Sequence, residues 1–186
     1  MYPGGNVIKT SVIKYPRRLI NGIWLIVAGI AMMTLTIKTA NGIPNATVFI
    51  ILYVLGLVFE LNSITKRKLS ASGGTETQNR WSKIALCALC MFIVIAIGIV
   101  FLLHLSSWYQ IIKVSWLLIL LAVGLHFFFF VPVHGKAMAV LATLTILNVL
   151  VGIPVHESLD MIFILDGTIK IIFGLYFIKV GLEDRK

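Results

Sequence analysis

Ile84–Leu103 reads IALCALCMFIVIAIGIVFLL. The run carries no charge, no amide, no hydroxyl and no proline. As a helix rising 1.5 Å per residue it is about 30 Å long, the thickness of a bilayer's hydrocarbon core. A helix suits that medium because it bonds its own backbone N–H and C=O groups internally. The rest of the chain agrees with this segment. Of its 186 residues, 59% are hydrophobic and 12% charged, with a mean hydropathy of +1.01. Ordinary globular chains carry about a quarter charged residues. The expected class is therefore integral membrane, with the lipid bilayer as first partner.

Five further runs pass the same test. The six expected spans are Leu19–Ile37, Ile43–Leu61, Ile84–Leu103, Ile111–Val131, Ala137–Ile153 and Leu159–Val180. They make an all-α polytopic helix bundle, one domain over residues 1–186. Residues 1–18 are expected as a tail and 64–83 as the one long loop. Within that loop Ser70–Gln78, SASGGTETQ, reads as a flexible tether. Pro16, Pro44, Pro132 and Pro154 fall at span boundaries, where a missing N–H breaks no helical bond. Leu19–Ile37 is too long for a signal-peptide core, and no cleavage-type site follows it.

Charge orients the bundle. Lys9, Lys14, Arg17, Arg18, Lys66, Arg67, Lys68, Arg80, Lys83, Lys136, Lys179, Arg185 and Lys186 fall on one side. Lys38 and Lys113 fall on the other. This asymmetry puts both termini in the cytoplasm. It also accounts for the net charge of +9 without nucleic acid as a partner. Tyr15 and Trp81 fit an inner aromatic belt, Trp108 and Tyr109 an outer one.

Three segments echo one another: Gly56-Leu-Val-Phe59, Gly124-Leu-His-Phe127 and Gly174-Leu-Tyr-Phe177. All lie in even-numbered spans, so the spacing predicts three tandem helical-hairpin repeats. Around a threefold axis Val58, His126 and Tyr176 would share one layer. His126 would then reach Tyr176 or Glu60.

Ionisable groups inside a bilayer are costly and need partners. Asp166 and Lys170 stand four apart on the sixth span, on one helix face. Gly167, Gly174 and Gly181 mark that face as packed, so the pair is expected to point into the bundle. Asn148 is expected beside it. Two polar levels result, an inner one (Asn21, Glu60, His126) and an outer one (Asn148, Asp166, Lys170). They make either a ligand or proton pathway or interhelical glue.

No Ser-His-Asp order, HExxH, phosphate loop or paired carboxylates appear, so neither a catalytic residue nor a cofactor is expected. His104, His156, Glu157 and Asp160 lack the tight spacing of a metal site. Cys87 and Cys90 read as two small core residues within a span, not a redox pair.

The Gly124-Leu-His-Phe127 motif at the end of the fourth of six spans resembles uncharacterised families of small bacterial integral membrane proteins. The resemblance implies a bacterial plasma-membrane location. The expected role is non-enzymatic: a stress, immunity or accessory protein acting through a membrane partner or a second copy of itself. The alternative is a small-solute or proton-coupled carrier or channel using His126, Asp166, Lys170, Glu60, Asn148 and Tyr176.

Overall fold

The computed structural model describes residues 14–71, 76–152 and 158–185. The ends of the chain, the middle of the expected tether and Ile153, Pro154, His156 and Glu157 lie outside them. Among the described residues every regular element is a helix. In chain order these are α1 (Arg18–Thr34), α2 (Ala46–Leu61), α3 (Ser63–Leu69), α4 (Glu76–Leu102) and α5 (Trp108–Phe127). A 3-10 turn at Phe128–Phe130 leads into α6 (Val131–His134), followed by α7 (Ala137–Gly152) and α8 (Leu159–Glu183).

Three stretches are long and apolar enough to cross a bilayer: Glu76–Leu102, Trp108–His134 and Leu159–Glu183. α2 and α3 together would make a fourth, bent by 63°. α1 and α7 are apolar but shorter, at 17 and 16 residues. Large apolar side chains cover the outside; Leu55 is 61% exposed, Val94 67% and Phe101 77%.

Local chemistry explains where helix ends depart from the expected boundaries. α1 stops at Thr34, not Ile37, because the Thr34 and Thr36 hydroxyls donate back to the carbonyls of Ala31 and Met33, at 2.7 and 2.8 Å. The chain there tightens into 3-10 bonding. α2 starts at Ala46 because the Asn45 side chain accepts from the Thr47 N–H at 3.0 Å. Asn62 leaves the helical region and caps α3 through Ile64 at 2.7 Å. The expected loop 64–83 is accordingly helical for most of its described length, and Glu76–Gln78, read as tether, form the first turn of α4. Pro132 sits in the first turn of α6, where its lost N–H has no helical partner to forfeit.

α1 and α8 run antiparallel and make the most extensive helix contact in the molecule. Their glycines interlock at seven-residue spacing. A Cβ on Gly22 would lie 2.7 Å from the Gly174 carbonyl oxygen, and one on Gly174 2.7 Å from that of Gly22. Gly29 and Gly167 face each other in the same way at 2.6 Å. Such spacing suits a left-handed crossing with the backbones in contact. α2 leans on α1, α4 on α5, and α5 and α8 on α7. α2 contributes Gly56 alone to the buried interior, against the Trp24 ring.

The threefold layer does not form. Gly56, Gly124 and Gly174 are all buried at helix crossings, but against α1, α7 and α1 respectively. Gly56 packs within its own hairpin, whereas Gly124 and Gly174 pack against the first helix of another, so the three motifs do not occupy equivalent crossings. Val58 is 58% exposed and Tyr176 48% exposed, whereas His126 is buried.

Candidate functional site

Asp166 and Lys170 occupy the inward face of α8. They are 0% and 3% exposed, and the Lys170 ammonium donates to Asp166 Oδ2. The helical i, i+4 spacing brings them together, and the glycine seam with α1 seals one flank. Asp166 Oδ1 is buried without a hydrogen-bond partner. A free carboxylate oxygen in such a place retains the capacity to accept a proton or a donor.

Lys170 reaches a central cavity of about 200 Å³ between α1, α2, α4, α5 and α8. Its walls are apolar, aliphatic side chains from α1, α4 and α5 interleaved with the rings of Trp24, Phe49, Tyr53, Trp116 and Phe127. These rings pack on one another, Trp24 edge-on to Tyr53 at 4.8 Å and Phe49 edge-on to Trp116 at 5.6 Å. His126 lines the same cavity. Its Nδ1 lies 2.5 Å from the Val123 carbonyl oxygen. A carbonyl only accepts, so Nδ1 carries the hydrogen and a neutral ring keeps Nε2 as an acceptor. The cavity thus joins an ammonium donor and an imidazole acceptor inside an apolar wall.

The polar residues group differently from the two expected levels. His126 joins Lys170, not Asn21 and Glu60. Those two line a second hollow of about 140 Å³ at the end of the bundle where α1 begins. It also holds Arg17, Lys66 and His134. His134 is 3% exposed and its Nδ1 has no partner. Its position is fixed through its carbonyl, which accepts from Arg18 Nε at 3.2 Å, and by Phe130 and Phe177 beside its ring.

Asn148 does not reach the Asp166–Lys170 pair. It donates to the Ile162 carbonyl at 3.0 Å, tying α7 to α8. Tyr176 faces outward, away from His126. Cys87 and Cys90 are exposed on α4 and not in the core, whose small residues there are Ala85 and Ala88. Among the described residues no His, Cys, Asp and Glu side chains gather to hold a metal ion. Sequence reasoning missed His134 and the cavity role of Trp24 and Trp116. The signal for His134 was local: a histidine between Pro132 and Gly135, where a helix must end.

Residues 8–185 match the model of a family described as a family of unknown function, DUF6609. No curated protein and no solved structure matches the chain.

Proposed function

For a chain that belongs to this family of unknown function, we propose a six-span protein of the bacterial plasma membrane that binds and carries a small solute without catalysis. α1, extended by the 3-10 turn that follows it, and α7 count as spans in this reading. α2 with α3 is the bent one. The basic end of the bundle faces the cytoplasm. One observation carries the solute reading: the apolar, partly aromatic cavity that both Lys170 and His126 line. Ligand sites are mostly apolar with a few polar groups that fix orientation. Here the Lys170 ammonium donates and His126 Nε2 accepts, so the fitting solute is a small aromatic molecule with one acceptor and one donor. Asp166 Oδ1 is the nearby proton acceptor for coupling.

The test is binding by the purified chain of small aromatic acids, phenols and amines, read as Trp fluorescence and thermal shift in detergent. A saturable response that disappears in Lys170→Met with Asp166→Asn is expected. Silence across the whole panel, or a response that survives the double change, rejects the reading.

A second reading has its own observation. α2 buries Gly56 and little else, so it is the element most open to a helix from a membrane partner or a second copy. Cross-linking through a cysteine at Val54 in native membranes tests this, and a uniformly monomeric product counts against it.

A further inference from the structure

The polar end of the bundle holds a hollow that the solute reading does not use. Arg17 and Lys66 form its rim and also line a second, more polar hollow of about 240 Å³ outside it. The Arg17 guanidinium spends one nitrogen on Asn79, at 2.6 Å. Glu60 and His134 line the same hollow, and the buried Nδ1 of His134 has no partner. Cations at a rim, with the Glu60 carboxylate beside them, suit a ligand that carries both an anion and N–H donors.

The side of this hollow is open in a particular direction. α2 leans on α1 and α4 on α5, without an extended contact between α2 and α4. The crevice between them has apolar lips, Leu61 and Leu86, each more than half exposed, with Leu57 behind. A soluble anion needs no such lips. α3, bent 63° from α2, carries Lys66 across the mouth at the level of the basic surface.

We propose that this hollow binds the headgroup of one phospholipid bearing a primary ammonium group, a phosphatidylethanolamine, from the cytoplasmic leaflet. The phosphodiester pairs with Arg17 and Lys66, the geometry for which a guanidinium and an ammonium are suited. The ammonium donates to the Glu60 carboxylate. The acyl chains leave through the α2–α4 crevice past Leu57, Leu61 and Leu86. The two cations and the carboxylate of the hollow then each meet a group of opposite charge. The proposal rests on the membrane reading above, not on the solute cavity.

Recovery of the chain in the membrane fraction, checked first, tests the membrane reading by itself. The delipidated full-length protein in detergent is then titrated with three probes: phosphatidylethanolamine, phosphatidylcholine of the same chains, and soluble glycerophosphoethanolamine. A ligand that binds the folded state raises Tm, and the rise grows with the logarithm of its free concentration above Kd. Phosphatidylethanolamine is expected to raise Tm by a few degrees, with about one lipid retained per chain by mass spectrometry of the complex. Phosphatidylcholine, which keeps the phosphate but has no N–H donor, should do markedly less. Arg17→Gln with Lys66→Gln should abolish the shift, and Glu60→Gln should erase the preference between the two lipids. Equal shifts with both lipids in the wild-type protein overturn the proposal without any variant. An equal shift with the soluble compound overturns the lipid source, and an unchanged shift in the double variant overturns the site.

Discussion

At the residue scale, the Asp166–Lys170 pair sets the largest single energetic stake. Removing two charges from water is repaid only if each retains its partner. Lys170→Met leaves Asp166 buried and uncompensated, a loss of about 3–5 kcal/mol for such a pair. Combining it with Asp166→Asn removes the charge and should recover much of that loss. Thermal unfolding of both variants in detergent checks this; a double variant that melts below the single one rules out the pairing. The pair itself was legible in the sequence, because four-residue spacing on a glycine-marked face fixes both partners and direction. His126 was legible as buried but not in its partnership. Its ring bonds the carbonyl three residues back, and that choice depends on rotamer and packing, which a one-dimensional pattern does not hold. Tyr176 misled for a related reason: a shared Gly-Leu-x-Phe motif does not fix which way the helix turns its x position.

At the element scale, the α1–α8 seam makes sharp distinctions among glycines. At Gly174 or Gly29 a methyl group would meet a backbone carbonyl well inside contact distance, and a backbone cannot step aside as a side chain can. Gly174→Ala should therefore lower stability by about 1–3 kcal/mol through overpacking. Gly98, on the outer face of α4, meets nothing within 4 Å. Gly98→Ala should leave Tm unchanged or raise it, by at most about 1 kcal/mol from helix propensity. Parallel melting curves decide it, and equal losses in both variants would contradict the seam. The existence of every long helix was readable from hydropathy. Their ends were not, because single side chains decide them: Thr34 and Thr36 close α1, and Asn62 caps α3 and sets the bend.

At the scale of the whole molecule, one end collects the polar ties. Arg18 pairs with Asp184 at 3.2 Å, Arg185 donates to the Lys68 carbonyl at 2.8 Å, and Arg17 donates to Asn79. The start of α1, α3, the start of α4 and the end of α8 therefore lie at one end of the bundle. Reporters fused after Lys186 and inserted at Gly73 should give the same cytoplasmic signal, and one inserted at Gly42 the opposite. A C-terminal reporter on the far side would break the antiparallel relation of α1 and α8. The pairing of the first helix with the last was not legible, since nothing in a hydropathy profile says which spans are neighbours. That pairing has a consequence for synthesis. At roughly 5–20 residues per second, α1 waits about 7–30 s for its mate to leave the ribosome. During that interval its glycine face is an unclaimed surface, bare to lipid or to whatever chaperone the membrane supplies. A chain cut short before Leu159 would never claim it, and should be cleared by membrane proteolysis far faster than the full-length protein in a pulse-chase experiment.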